Sequence, residues 1–310
     1  MSVSLSPDGK YVVFDLLAHI YRVPTSGGNA ECLTQNTGVA LSFQPRYSPD
    51  GKYIAFISDR GGQNNLWVMD ADGRNPRAVF DDKDIRATQP TWTPDSQYIL
   101  IERDSVAAGL EPRPPSGIWM YHRDGGKGLE LVGKENRGAE WPSVSPDGRY
   151  VYFHYAAGEP SPYAGHEDIT QGSYQIKRLD LRTGNVVDIT AGTGEQQYRS
   201  SNGGAIAPEI SPDGRWLAFA RRIPNGTISY KGHKFGPRTA LWLRDLQSGA
   251  EHVAMDPIEV DMAEAGKTSP QPEVRTQRLV NRLAEGREQS VDGKHPEVAV
   301  AQEPPILLFA

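Results

Sequence analysis

The sequence predicts an all-β fold, a β-propeller of four-stranded blades with five recognisable repeats and an incomplete or degenerate sixth. Three observations carry that expectation. The phrase SPDG stands at Ser6–Gly9, Ser48–Gly51, Ser145–Gly148 and Ser211–Gly214, and a variant, TPDS, fills Thr93–Ser96. Each copy is followed by a short apolar run of strand length: YVVF from Tyr11, YIAFIS from Tyr53, YILI from Tyr98, YVYFHY from Tyr150 and WLAFA from Trp216. The repeat prolines are 42, 45, 52 and 66 residues apart, a repeat of roughly 40–50 residues with growing insertions, which is the scale of a propeller blade.

Each element has a local reason. Proline suits the second position of a type I turn, and Asp and Gly suit the places after it, so SPDG closes a hairpin. The turn residues Asp8, Asp50, Asp95, Asp147 and Asp213 are read as structural, each bonding its own backbone. A third strand follows in every unit: HIYRV from His19, NLWVMD from Asn65, GIWMYH from Gly117, YQIKRLD from Tyr174 and ALWLRD from Ala240. Gly-containing turns such as DADG, RDGG, LRTG and LQSG come next. A short fourth strand then falls at Arg77–Phe80, Leu129–Val132 or Val186–Ile189. Strand, turn, strand, loop, strand, turn, strand is the grammar of an antiparallel blade.

Composition narrows the partners. The chain has 310 residues and a net charge of −6, so it offers no basic footprint for nucleic acid. Its six Trp, 13 Tyr and eight Phe supply a buriable core. One cysteine, Cys32, excludes an internal disulfide and a Cys-built zinc site. No apolar run reaches the ~18 residues of a membrane span. The opening MSVSLSPDGK enters a repeat at once, so the sequence as written carries no signal peptide and would stay in the cytoplasm.

The repeat prolines stand at 7, 49, 94, 146 and 212, and the growing spacing comes mainly from the connection between second and third strands. In a propeller those connections leave one face, and insertions gathered there mark a binding face or drift in tolerant loops. Two of them carry candidate binding residues. Residues 156–173 hold Tyr163, His166, Glu167 and Asp168; residues 221–239 hold Arg222, Tyr230, Lys231, His233, Lys234 and Arg238 with no acid. The second is either a basic loop that holds an acidic partner or a solvated charge run.

The stretch SPDGKYIAFISDRGGQNNLWVMDADGRNPR resembles the TolB-type, WD40-like propeller repeat. That repeat also occurs in tricorn-type and prolyl oligopeptidase-type peptidases and ahead of some metal-dependent amidohydrolases. The opening VSLSPDGKYVVFDLLAHIYRVPTSGGNAECLT most resembles the propeller of exported amidohydrolases, with Ala18 and His19 in place of that family's Gly-Asp. The resemblance implies the fold over residues 4–262, a periplasmic or extracytoplasmic setting, and a neighbouring catalytic domain.

Chemistry is harder to find. The seven histidines, at 19, 122, 154, 166, 233, 252 and 295, include no His-x-His and no His-Glu-x-x-His. There is no G-x-S-x-G elbow and no P-loop. Asp70-x-Asp72-Gly73-x-Asn75 alternates oxygens as a calcium loop does, yet lacks the closing Glu and coincides with a hairpin turn. His122 and His154 fall in strand runs and are read as packed, and no His/Glu pair can be placed at the propeller axis. No metal or cofactor is expected.

The resulting expectation is a non-catalytic propeller at 1–263 that binds a protein, a ligand, or the catalytic domain that its relatives imply. A TolB-like docking protein and the gating propeller of a serine peptidase are the alternatives. Residues 264–310, with only Phe309 as an aromatic, are expected to be a polar tail, poorly ordered or weakly helical at 274–289. SVDGK at 290–294 would be the stump of a sixth unit. Blade faces at the two ends of such a ring would then lie uncovered.

Overall fold

A computed structural model describes residues 2–35, 38–105, 117–133, 138–156, 174–190, 204–230 and 233–255. For 222–230 and 233–239 the description is of the backbone alone. Twenty strands form five four-stranded antiparallel sheets. The first blade holds β1 (Val3–Leu5), β2 (Tyr11–Leu16), β3 (His19–Pro24) and β4 (Glu31–Cys32). The second holds β5 (Ser42–Tyr47), β6 (Tyr53–Ser58), β7 (Asn65–Asp70) and β8 (Arg77–Ala78). In the third are β9 (Ile85–Trp92), β10 (Tyr98–Ser105), β11 (Gly117–His122) and β12 (Leu129–Val132). The fourth has β13 (Ala139–Val144), β14 (Tyr150–Ala156), β15 (Tyr174–Asp180) and β16 (Val186–Asp188). The fifth has β17 (Ala205–Ile210), β18 (Trp216–Tyr230), β19 (His233–Asp245) and β20 (Glu251–Met255).

Each turn is held by one small network. The Ser or Thr hydroxyl donates to the Asp two residues on, at 2.5–2.7 Å in all five copies. The same oxygen accepts the backbone N–H of the residue that opens the second strand: Tyr11, Tyr53, Tyr98, Tyr150 or Trp216, at 2.8–3.0 Å. The Asp accepts a further N–H two places along, as Lys10 gives to Asp8 at 3.1 Å. These bonds hold the carboxyls of Asp8, Asp95, Asp147 and Asp213 below their ordinary range, the hydroxyl contributing most. Glycine closes the turn because the backbone there has φ of 69–72° at Gly9, Gly51, Gly148 and Gly214. Ser96 takes that conformation in TPDS, at φ 59°. Its hydroxyl accepts the Asp50 N–H of the neighbouring blade at 3.0 Å, which offsets the strain.

Packing between blades follows from the period of two. In β6, Ile54 and Phe56 face the first blade, where they meet Val13 and Ile20. Ala55 and Ile57 face the third, against Ile99, Ile101 and Tyr121. Leu100, Ile118, Val151 and Phe153 fill the next interface, and Ile176, Leu217 and Phe219 the one after. Each such side chain contributes about 1.5–3 kcal/mol by leaving water. Among the described residues, these four cores join successive blades and no comparable one joins the fifth to the first. Consistent with that, a side chain at Gly51, Gly148 or Gly214 would lie 3.6–3.7 Å from the turn proline of the preceding blade, whereas one at Gly9 would meet open space.

The inner strands carry a second repeated device. Gln44, Gln89, Trp141 and Ala207 have φ of 52–58°, and each precedes a buried proline: Pro45, Pro90, Pro142 or Pro208. At every one of them the ladder to the second strand slips. The inner strand therefore bulges at the same level in four blades, which turns its amides away from its own sheet. The second-to-third-strand segment at 221–239, expected as a loop, is instead a ribbon. Here β18 and β19 continue their pairing through Arg222↔Thr239 to Tyr230↔His233. Residues 157–173 and 264–310, with the SVDGK stump and the helix expected at 274–289, lie outside the described residues.

Ser145→Ala should lower stability by about 1–2 kcal/mol, because it strands the Tyr150 N–H and releases Asp147 together. Asp147→Asn, which keeps an acceptor, should cost less. Urea unfolding of both variants checks the order, and equal stabilities would contradict the network.

Candidate functional site: the central channel

The five inner strands β1, β5, β9, β13 and β17 surround a channel. At the end where the turns lie it opens into a cavity of about 470 Å³. Its rim is made by the five turn prolines Pro7, Pro49, Pro94, Pro146 and Pro212, and Tyr47, Trp92, Val144 and Ile210 line its walls. Two charged side chains line it, Arg46 and Glu209. Arg46 donates from Nη1 to the Val3 carbonyl oxygen at 3.3 Å, and Trp92 donates from Nε1 to the Arg46 carbonyl oxygen at 3.0 Å. Glu209 is half-buried, and burial pushes its carboxyl up against the opposing pull of Arg46. Among the described residues nothing hydrogen-bonds that carboxyl.

A second polar level lies deeper, toward the opposite end. The fifth residue of the second strand is Asp15 in the first blade, Glu102 in the third and His154 in the fourth. Two of these groups, Asp15 and His154, accept amides that the bulges release. Gln44 N–H donates to Asp15 Oδ2 at 3.1 Å, and Ala207 N–H donates to His154 Nδ1 at 3.2 Å. Where the second blade offers Ile57, Gln89 N–H instead finds Gln44 Oε1 at 2.8 Å. With Nδ1 accepting, the proton of neutral His154 sits on Nε2, which lies 3.0 Å from Glu140 Oε2 and donates to it. Tyr174 meets the imidazole edge-on at 5.2 Å. Burial pushes the Glu102 carboxyl up to about 8, helped by the nearby Glu140 and Asp104 carboxylates and opposed by a Thr88 hydrogen bond.

His154 is packed, as expected, and it also pairs with Glu140 across β13 and β14, a His/Glu pair that the sequence did not reveal. Strand patterning concealed it, since His154 reads as one more member of an apolar run. Also missed was the Pro-x-x-x-Pro spacing at 45/49, 90/94, 142/146 and 208/212, which marks the bulge and the rim together. Of the residues singled out in the inserted connections, Tyr163, His166, Glu167, Asp168 and Lys231 lie outside the described residues. Arg222, Tyr230, His233, Lys234 and Arg238 lie on the β18–β19 ribbon, which runs away from the turns and so from the cavity. Among the described residues no three of His, Cys, Asp and Glu are placed to hold a metal ion. No helix of the described residues is long and apolar enough to cross a membrane.

The family model for the TolB beta propeller domain matches residues 1–164. The chain belongs to the TolB β-propeller family. An uncharacterised peptidase of Bacillus subtilis is 27% identical over 216 residues, which are 69% of this chain and 26% of the peptidase. This TolB propeller chain therefore spans about a quarter of that relative's length. A structure from Agrobacterium tumefaciens assigned as a TolB superposes with a TM-score of 0.59 at 23% identity, over 81% of this chain and 79% of that one. A puromycin-hydrolyzing peptidase of Mycobacterium tuberculosis superposes at 0.52 with 16% identity, over 83% and 38%. Both structural likenesses concern the TolB-type fold.

Glu102 gives this level a pH signature. Its carboxyl binds a proton more tightly in the folded chain than at the ordinary 4.5, so the contribution is complete below 4.5 and is lost as pH rises through about 8. The full shift corresponds to at most about 5 kcal/mol. Glu102→Gln should match the parent near pH 4 and exceed its stability increasingly as pH rises to 9. Denaturant unfolding at both values measures this, and parallel losses in the two proteins would contradict it.

Proposed function

We propose that this propeller is a binding module whose site is the mouth of the central channel at the turn end, serving the hydrolase-type assemblies in which such propellers occur. The observation that carries the reading is the cavity itself. Its size is that of a ligand pocket, its walls are mostly apolar, and a small number of polar groups converge in it. Membership of the TolB propeller family and the Bacillus peptidase relative support a partner that is a polypeptide. A rim of prolines suits such a partner, because it is rigid before binding and loses little entropy.

A second reading has its own support. Glu140 is held by His154, and its charge helps push the Glu102 carboxyl up to about 8; two carboxyls coupled in this way are usable for proton transfer. Both imidazole nitrogens are engaged, so His154 would position Glu140 and not itself take a proton.

Peptides selected for binding to the folded chain from a random library test the first reading. Thr91→Trp, which fills the cavity wall, should weaken them by more than about tenfold with the fold intact. Peptides that ignore this substitution and instead respond to shortening of 157–173 would contradict it and favour the inserted face. Turnover abolished by Glu140→Gln would favour the second reading.

A further inference from the structure

The residue three places before each turn proline is Ser4, Arg46, Thr91, Ser143 or Glu209, one per blade. The fold has a use for a hydroxyl there. Ser4 Oγ accepts the Tyr47 N–H of the next blade at 3.1 Å, and Ser143 Oγ accepts the Ile210 N–H at 3.1 Å. Arg46 and Glu209 put charges at two of these equivalent positions instead. They face the same cavity without forming an ion pair within 4.0 Å. Glu209 has no hydrogen-bond partner among the described residues, so its carboxyl is free to take one from a ligand entering the cavity.

Resting on the reading of the mouth as the binding site, we propose that Glu209 receives a primary ammonium group, the free amino terminus of an extended peptide entering the cavity. Three features of the cavity fit that group. The five rim prolines carry no N–H, so at these positions the rim presents apolar rings and no amide that would compete for the Glu209 carboxylate. An ammonium brings three donors and no acceptor, the complement of such a carboxylate. A cavity of about 470 Å³ admits the end of one chain, not a folded surface. The upward pull of burial on the Glu209 carboxyl would be reversed by the arriving cation, so the charge pair forms where each group lacks another partner. Arg46, across the cavity, selects against a second cation and leaves room for one chain end only.

Tetra-alanine amide with a free amino terminus, its N-acetyl form, and N-acetyl-trialanyl-lysine amide are the probes, titrated by calorimetry and by tryptophan fluorescence, since Trp92 lines the cavity. The free form should bind, and acetylation should weaken it by about tenfold or more. Glu209→Gln should abolish the difference between the two forms without lowering Tm. Equal binding of both alanine peptides to the parent protein would overturn the ammonium assignment while leaving the mouth as the binding site. Binding by the lysine probe alone would overturn the assignment to a chain terminus. Failure of every probe to bind, while library-selected peptides still respond to Thr91→Trp, would overturn the proposal and spare the reading on which it rests.

Discussion

Wherever an inner strand of this propeller bulges or meets its neighbour, a backbone amide leaves its own sheet and needs an acceptor in the blade before it. A buried amide without one costs as much as a lost hydrogen bond. That need dictates residue types around the channel. Asp15, the Gln44 side chain and His154 answer the bulge amides, and Ser4 and Ser143 answer the amides next to the turns. Much of the polar lining is therefore structural before it is anything else. Function is best sought at the positions where the residue present is not the one this need selects.

Arg46 and Glu209 are two such positions, and their placement follows from the fold. The SPDG turns fix where each inner strand ends, the bulge one half-turn earlier fixes how it faces the axis, and the third residue before the turn proline is left pointing at the mouth. A Bacillus subtilis relative about four times longer than the matched segment is an uncharacterised peptidase.

Most of the architecture was legible in the sequence because the turn is written out in residues whose backbone preferences are strong. Pro7, Asp8 and Gly9 and their four counterparts mark the hairpins, and the continuous apolar run Tyr53–Ile57 marks a strand buried on both faces. The ribbon at 221–239 was not legible: Pro224, Gly226 and Gly236 are loop-formers, and the pairing skips them at two register shifts and resumes at Thr227↔Pro237 and Ile228↔Phe235. The candidate site was hardly legible at all. Glu140 and His154 lie 14 residues apart and meet only through the register Glu140↔His154 of β13 and β14. Glu209 and Arg46 come from blades that are distant in sequence, and no local pattern announces that they share a cavity.

The central claim is that the two charges at the mouth are not demanded by the fold. The most direct test is the double variant Arg46→Ser/Glu209→Ser, which gives four of the five equivalent positions the same residue. Its thermal unfolding should match or exceed that of the parent, since hydroxyls at the equivalent Ser4 and Ser143 already serve the fold. A fall in Tm of more than about 5 °C, roughly 2 kcal/mol for a domain of this size, would show that the charges hold the ring together and would contradict the account.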